Sequence, residues 1–252
     1  MCVPADATPP ELPLDHPLRP GKRLTLTSAD GTEFAAHETH AIQPSGAGLV
    51  VLPDVRGLFA FYELLVDQLA ACNVDSIGID YFGRTAGTEP RPSDWDHTPH
   101  VAATEPAQVH DDVAAAVHRL RHVRGVDRVY TVGFCFGGAQ SFAQAYGQHG
   151  LDGVVGFYGF PRARREGFPD PIAHVDEMSC PVLGLFGGED QAIPVEVVDE
   201  FDAAMTGAGV THQIHVYPGA PHSFFDRLQG EWTAESMDAW SRLLAFVRHD
   251  QV

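Results

Sequence analysis

Short, almost purely apolar runs alternate along the chain with longer segments in which apolar residues recur every three or four positions. Residues 182–187 are a typical apolar run. Residues 108–123 are a typical longer segment, with apolar residues at 113, 117 and 120. Apolar runs bounded by turn residues predict buried strands, whereas the longer period predicts amphipathic helices. The predicted strands are 23–27, 34–40, 48–52, 74–79, 128–134, 153–158, 182–187 and 212–217, and the predicted helices are 59–71, 108–123, 139–148, 194–206 and 232–248.

This order of elements predicts an α/β fold. Strands that alternate with helices form βαβ units, which build a mostly parallel central sheet with helices on both faces. The first two strands are the exception, because the short segment Ala29-Asp-Gly-Thr between them indicates an antiparallel hairpin at one edge. We expect an N-terminal extension over residues 1–22 and a single domain over residues 23–252.

Composition limits the binding partners and the cellular compartment that we expect for this chain. The formal net charge is -18, and Lys22 is the only lysine, so the chain lacks the clustered positive charge that nucleic-acid phosphates require. The proline-rich start has no basic and apolar signal-peptide pattern, and no run reaches membrane-spanning length. Four cysteines, at 2, 72, 135 and 180, are too scattered for a disulfide framework. We therefore expect a cytoplasmic protein without nucleic-acid or membrane partners, acting as a monomer or homodimer.

Residues 133–138, Gly-Phe-Cys-Phe-Gly-Gly, form a G-x-C-x-G turn between a predicted strand and a helix-like run that starts at Ala139. This is the nucleophile-elbow pattern of α/β-hydrolases, with cysteine in place of the usual serine. The glycines suit a chain reversal that leaves no room for Cβ atoms, so Cys135 would be presented at the N-terminus of a helix, where the dipole favours a thiolate. A small buried structural cysteine is the alternative.

An acid and a histidine follow Cys135 in the order that such hydrolases use. Asp190 comes after the apolar run 182–187 and two glycines, and His222 follows a strand and a loop rich in proline and glycine. Both residues would lie at carboxyl ends of strands, where open α/β sheets have their ligand crevice. Glu189 is the neighbouring rival for the acid role.

Four segments resemble the dienelactone hydrolases, the cysteine members of the α/β-hydrolase superfamily. The segments, spread over nearly the whole chain, are Leu52-Pro-Asp-Val-Arg-Gly57, Asp80-Tyr-Phe-Gly-Arg84, Gly133-Phe-Cys-Phe-Gly-Gly138 and Ala220-Pro-His-Ser-Phe224. The resemblance implies hydrolysis of an enol-lactone, as in the conversion of a dienelactone to maleylacetate in aromatic degradation. A broader carboxylesterase or thioesterase, and a ligand-binding homologue without catalysis, remain alternatives.

The resemblance also implies roles around the cysteine. The acid at the position of Asp54, usually glutamate in the family, hydrogen-bonds the resting thiol and takes its proton when substrate binds. Capping of a helix or pairing with Arg56 is the simpler explanation of Asp54. The backbone N–H groups of Val55 and Phe136 match the oxyanion-hole donors.

Three arginines are candidates for binding a carboxylate group on the substrate. Arg84 matches the arginine that holds the substrate carboxylate in the family, a task that suits the planar guanidinium; an ion pair with Glu89 is the alternative. The second family arginine falls at Asp226 here, so Arg227 is one position out of register. Arg56 is a further candidate for the pocket.

The mechanism that follows is covalent acyl transfer. Cys135 would attack the carbonyl, two backbone amides would hold the oxyanion, and His222, oriented by Asp190, would activate water to hydrolyse the thioester. No cofactor is expected, and no metal. His212 and His215 lie in a strand-like run, where a spacing of three puts them on opposite faces; the histidine pairs 37 and 40, and 97 and 100, fall in extended or loop-like sequence without a nearby cysteine.

Overall fold

The computed structural model describes residues 8–248. Its strands are β1 (Lys22–Thr27), β2 (Glu33–Thr39), β3 (Ala47–Leu52), β4 (Asp75–Ile79), β5 (Arg128–Phe134), β6 (Gly153–Phe157), β7 (Val182–Gly187) and β8 (His212–Tyr217). Its α-helices are α1 (Ala60–Ala71), α2 (Gly83–Ala86), α3 (Thr98–Ala103), α4 (Pro106–Arg124), α5 (Phe136–Ala143), α6 (Val195–Ala208) and α7 (Thr233–Arg248). Short 3-10 helices cover Gln144–Tyr146 and Ile172–Glu177.

The eight strands form one sheet in the order β1-β2-β4-β3-β5-β6-β7-β8. β1 pairs with β2 and β2 with β4 in antiparallel register, and all the remaining pairs are parallel. Every residue of β3, β4, β6 and β7 is buried, as expected of parallel strands covered by helices on both faces. The fold is that of the α/β-hydrolases, with the antiparallel edge that the sequence predicts.

Local signals explain where α4 begins and ends. Proline occupies the start of the helix, where its missing N–H costs no hydrogen bond. Gly125 closes the helix in the left-handed conformation, and Arg121, His122 and Arg124 lie in the last turn, where positive charge complements the helix dipole. α6 likewise ends at a left-handed glycine, Gly209.

The structure differs from the predicted elements mainly at the elbow and in its short helices. α5 begins at Phe136, not at Ala139, because the chain turns into the helix directly after Cys135. The short helices α2 and α3 were not predicted, since neither is long enough to show a helical period. Residues 1–7 of the expected extension, including Cys2, and residues 249–252 lie outside the described residues.

Residues 8–21 carry no strand or helix, yet they pack on the domain. Leu12 joins the hydrophobic core, and the side-chain amide of Gln68 donates a hydrogen bond to the carbonyl of Pro10 at 3.1 Å. Within residues 8–248, no helix is both long and apolar enough to cross a bilayer.

Candidate active site

Cys135 stands between β5 and α5 in a backbone conformation that few residues adopt. Its φ is 55° and its ψ is -111°, and such a conformation persists only where the surroundings hold it in place. A Cβ on Gly133 would lie 1.9 Å from the carbonyl oxygen of Gly137, and one on Gly137 would lie 2.2 Å from the carbonyl oxygens of Leu52 and Pro53. Only glycine fits at either position, so the elbow presents the thiol at the start of α5.

His222 and Asp190 meet next to this thiol. His222 Nδ1 lies 2.6 Å from Asp190 Oδ2, and the other oxygen of Asp190 accepts hydrogen bonds from the backbone N–H groups of Ala192 (2.8 Å) and Ile193 (3.1 Å). Asp190 is buried, whereas Glu189 is exposed. Of the two acids that the sequence left open, Asp190 is therefore the one that contacts the histidine.

The environment of His222 favours its protonated form. Burial alone would lower the pKa of His222, but hydrogen bonds with Asp190 and Cys135, together with the charges of these groups, raise that pKa to about 10. The imidazole thus lies between an acid and a sulfur atom. This arrangement favours the imidazolium form of His222.

Asp54 lies at the start of the loop that follows β3 and lines the same cavity. Its Oδ1 accepts the backbone N–H of Arg56 at 2.8 Å. Burial raises the pKa of Asp54 to about 7, and the negative charge of Asp226 adds to this shift, while the N–H and the guanidinium of Arg56 oppose it. Near neutral pH this carboxyl can therefore take up or release a proton.

The two residues whose N–H groups are expected to form an oxyanion hole, Val55 and Phe136, line the same cavity as Cys135. Phe136 is the first residue of α5, so its N–H has no partner within the helix. The hydroxyl of Tyr81 reaches the carbonyls of Pro53 and of Asp54, the latter at 2.9 Å, which holds the loop that carries Val55.

The cavity above Cys135 has a volume of about 440 Å³, in the range of small-molecule sites. Aromatic and aliphatic side chains form most of its wall. Tyr158 and Ser223, which also line it, have positive φ angles of 38° and 63°. The lining residues are Asp54, Val55, His97, Val101, Cys135, Phe136, Ala139, Tyr158, Phe160, Arg162, Arg164, Phe168, Pro169, Ala192, His222 and Ser223.

The expected substrate arginine, Arg84, is not among these lining residues. Its Nη1 lies 2.9 and 2.7 Å from the two carboxylate oxygens of Asp112, and its Nε lies 2.9 Å from Asp30. Asp112 is fully buried and Arg84 nearly so. The guanidinium therefore joins the β1–β2 turn to α4, and its partner is not the Glu89 that the sequence suggested.

The other two arginine candidates also lie outside this cavity. Arg56 points away from Cys135 into a second cavity, with its guanidinium carbon 3.7 Å above the ring of Phe59. Arg227 follows Asp226, whose carboxylate accepts the Arg227 backbone N–H. Asp226 itself is buried, so the position where the family has its second arginine carries an acid behind the site.

Sequence reasoning missed two arginines that do line the cavity, Arg162 and Arg164. The guanidinium of Arg164 lies 4.3 Å above the ring of Phe160, and its Nη2 donates to the carbonyl of Ala192 at 2.8 Å. Arg162 pairs with Glu200. Both follow the carboxyl end of β6, the same edge of the sheet as Cys135, and that position was the signal available in the sequence.

The histidine pairs do not converge on a metal site in the described chain. His212 lies 3.2 Å from Asp202 and His215 lies 3.7 Å from Asp238, so the two side chains have different partners. Among residues 8–248 no group of three histidine, cysteine or acidic side chains is arranged to hold a metal ion.

The model of the dienelactone hydrolase family matches residues 34–250. The chain belongs to this family. Curated relatives named "Putative carboxymethylenebutenolidase" include one from Methylorubrum extorquens, 33% identical over 59% of this chain and 53% of the relative, and one from Escherichia coli K12, 27% identical over 89% and 86%. The match thus spans about half the length of the first relative and most of the second.

Solved structures support the dienelactone hydrolase fold. A structure titled as a putative dienelactone hydrolase from Klebsiella pneumoniae superimposes with a TM-score of 0.75, at 24% identity, over 90% of this chain and 98% of that one. A dienelactone hydrolase-like promiscuous phosphotriesterase from metagenomic libraries gives 0.71 at 20% identity, over 92% and 99%.

Proposed function

We propose that this dienelactone hydrolase family member hydrolyses a small enol-lactone through an acyl-enzyme on Cys135. The observation that carries the proposal is the meeting of three groups: the sulfur at the elbow, His222, and Asp190 at 2.6 Å from that histidine. A nucleophile, a base and an orienting acid in this arrangement are what acyl transfer requires. The family comprises hydrolases of ester and lactone bonds.

In the first half of the reaction the Cys135 thiolate attacks the lactone carbonyl. The oxygen of the tetrahedral intermediate accepts hydrogen bonds from the N–H groups of Val55 and Phe136. Collapse of the intermediate breaks the bond to the ring oxygen, which leaves as an enolate and takes the proton from the His222 imidazolium. The products of this half are an acyl thioester and a neutral imidazole.

In the second half His222 acts as a base. Thioester formation removes the negative charge that helps to hold the imidazolium, so the pKa of His222 falls from its value of about 10. The neutral imidazole takes a proton from water, and the resulting hydroxide attacks the thioester. Cys135 leaves as a thiolate, the imidazolium is restored, and the acid product departs.

Asp54 is proposed as the acceptor for the thiol proton whenever Cys135 is protonated. A carboxyl with a pKa of about 7 can accept a proton and return it near neutral pH. Its hydrogen bond from the Arg56 N–H holds one oxygen in place. This shorter acid thus takes the part that a glutamate plays elsewhere in the family.

For the carboxylate of the substrate, the structure supports Arg164 over Arg84. Arg84 is bound to two acids away from the cavity, whereas Arg164 lines the cavity and is held at its rim by Phe160 and by the carbonyl of Ala192. An anchored guanidinium loses little side-chain freedom when a carboxylate binds. A cytoplasmic location and a role in aromatic degradation remain expectations.

A broader carboxylesterase is the second candidate function. The observation that favours it is the loss of both arginines that the family uses, since Arg84 is engaged elsewhere and the second position is the buried Asp226. Turnover of simple neutral esters with no preference for carboxylate-bearing lactones would support this candidate.

The first experiment compares cis- and trans-dienelactone with p-nitrophenyl acetate, using the wild-type protein, Cys135→Ala and Cys72→Ala. We expect Cys135→Ala to lose at least about 10³-fold in kcat on every substrate. Cys72 is buried beside the Pro13 carbonyl, so Cys72→Ala should keep its activity. Mass spectrometry of a quenched reaction should show an acyl adduct on Cys135. Full activity in Cys135→Ala would overturn the cysteine mechanism.

A second comparison tests the carboxylate contact. Arg164→Met should raise KM for a carboxylate-bearing lactone about tenfold, equivalent to about 1.4 kcal/mol, and leave KM for p-nitrophenyl acetate unchanged. Arg84→Met should instead leave KM for the lactone unchanged. It should lower the unfolding temperature, because it leaves the buried carboxylate of Asp112 without the guanidinium that pairs with it. The reverse pattern of KM values would restore Arg84 to the substrate site.

A further inference from the structure

A second cavity, of about 620 Å³, lies on the other side of the loop that carries Asp54 and Val55. Val55 lines the cavity over Cys135, whereas the next residue, Arg56, lines this second cavity. Apolar and aromatic side chains form much of the wall. The residues that matter for the argument are Arg23, Arg56, Phe59, Arg91, Pro92 and Trp95.

Arg56 is buried without a full set of hydrogen bonds. Its side chain is 14% exposed, and within residues 8–248 its Nε and Nη2 have no hydrogen-bond partner. The nearest carboxylate oxygen, on Asp54, is 3.9 Å from Nε, which is too far for a hydrogen bond. Buried donors without acceptors cost free energy, so an acceptor placed here would bind favourably.

Arg91 presents a second guanidinium of the same kind. Its Nη1 is bound to Asp80 at 2.5 Å, and its side chain is 10% exposed. In the described chain, however, its Nε and Nη2 have no hydrogen-bond partner. The guanidinium lies 4.4 Å from the centre of the Trp95 ring.

Arg91 packs against the turn that follows Arg56, and both side chains line the second cavity. A Cβ on Gly57 would lie 2.8 Å from Arg91 Nη1, so this guanidinium lies directly against the residue that follows Arg56. Glycine at this position, with a φ of 75°, leaves the space that Arg91 occupies.

The charges around the cavity do not cancel. Arg23 is paired with Glu63 at 2.8 Å and Arg91 with Asp80. Among residues 8–248 the acid paired with Arg56 is the distant Asp54, a carboxyl that is partly neutral near pH 7. One positive charge therefore remains uncompensated, on the side chain that also has free donors.

We propose that the second cavity binds a small organic carboxylate with a planar apolar body, held between Arg56 and Arg91. Two guanidinium groups with spare N–H donors match the two oxygens of a carboxylate. The walls formed by Phe59, Trp95 and Pro92 suit an apolar ring, and the volume of the cavity accommodates one. This site is separate from the cavity over Cys135 and does not depend on the proposed lactone hydrolysis.

The test is titration calorimetry with benzoate and with benzamide, its neutral analogue of the same shape. Wild-type protein should bind benzoate saturably in the millimolar range or tighter, and benzamide at least about tenfold more weakly, because only the anion offsets the charge of Arg56. Arg56→Met should weaken benzoate binding about tenfold. Arg91→Lys, which keeps the charge opposite Asp80 but loses the planar fork, should also weaken it.

Two controls separate this site from its alternatives. Arg128→Met changes a half-buried arginine at the start of β5 that donates a hydrogen bond to the Ser45 carbonyl, and it should leave the affinity unchanged. Arg164→Met should also leave it unchanged; a loss of affinity in that variant with none in Arg56→Met would place benzoate in the cavity over Cys135 and overturn the proposal. An absence of saturable binding in the wild type would overturn it too.

The position of the ligand gives a readout that does not depend on how the variants fold. In crystals of the wild-type protein grown with 4-bromobenzoate, the anomalous bromine signal should lie in the second cavity, with the carboxylate between Arg56 and Arg91. A bromine signal confined to the cavity over Cys135 contradicts the proposal.

Discussion

At the scale of single residues, burial decides the charge of the acid beside the nucleophile. Asp54 is almost completely enclosed, and the enclosed Asp226 nearby opposes a second negative charge. Both effects favour the protonated form. A carboxyl that is mostly charged in water is thereby held near the midpoint of its titration at neutral pH.

Folding raises the pKa of Asp54 from 3.8 to about 7, so the folded state binds a proton more tightly than the unfolded state. This proton binding stabilises the fold fully below pH 3.8, and the stabilisation is lost as the pH rises toward and through 7. Asp54→Asn should remove this dependence, because the amide stays neutral and can still accept the Arg56 N–H. Relative to wild type, the variant should gain about 2 to 3 kcal/mol in unfolding free energy between pH 5 and pH 8. Urea unfolding at both pH values measures the gain, and an equal difference at both would show that Asp54 ionises normally.

At the scale of elements, the site depends on how closely β5 and α5 approach the loop after β3. The strand enters the elbow, Cys135 takes a positive φ, and α5 starts at once. The backbone of Gly137 lies against the carbonyls of Leu52 and Pro53. This contact places Phe136 and Val55 in the wall of one cavity with Cys135.

Gly137→Ala should therefore destabilise the protein by at least about 2 kcal/mol, since its Cβ would lie 2.2 Å from two carbonyl oxygens and the backbone must shift. Gly207→Ala is the matched control. Gly207 lies within α6 with open space at its Cβ position, so alanine should stabilise the helix by about 0.5 to 1 kcal/mol. Urea unfolding of both variants measures the contrast, and a mild effect at Gly137 would show that the elbow can relax.

At the scale of the whole molecule, a strongly acidic chain places arginines around both cavities. The formal net charge is -18, whereas Arg162 and Arg164 line one cavity and Arg23, Arg56 and Arg91 line the other. The overall field repels anions at long range, and the arginines attract them at contact.

The long-range repulsion of anions and their attraction to the arginines at contact respond differently to salt. Raising the ionic strength from about 0.01 to 0.15 M shortens the screening length from about 30 to 8 Å, which removes the long-range repulsion before it weakens contacts with partly enclosed arginines. For a carboxylate-bearing lactone we expect kcat/KM to rise severalfold, while kcat/KM for neutral p-nitrophenyl acetate stays constant. A fall for the anionic substrate would show that the local arginines dominate at every distance.

The sequence by itself determined the alternation of strands and helices, the antiparallel edge and the identity of the elbow. These features follow from local patterns: apolar period, turn glycines, and the order of Cys135, Asp190 and His222 along the chain. Each of these residues ends or follows a strand, and the carboxyl ends of parallel strands meet at one edge. The sequence therefore predicted that these three residues lie at one edge of the sheet, but not which arginines line the cavity there.

Only the tertiary structure decided which charged groups pair, because pairing depends on distances between segments far apart in the chain. Asp190 was selected over Glu189 by its burial against His222. Arg84, the expected substrate arginine, forms an ion pair with Asp112 on α4 and does not line the cavity. Arg56 lines the second cavity and not the pocket for which the sequence suggested it, and Arg91, Arg162 and Arg164 were not identified as site residues. Their neighbours in space come from loops after different strands, and no periodic pattern in a sequence shows how loops fold over one another.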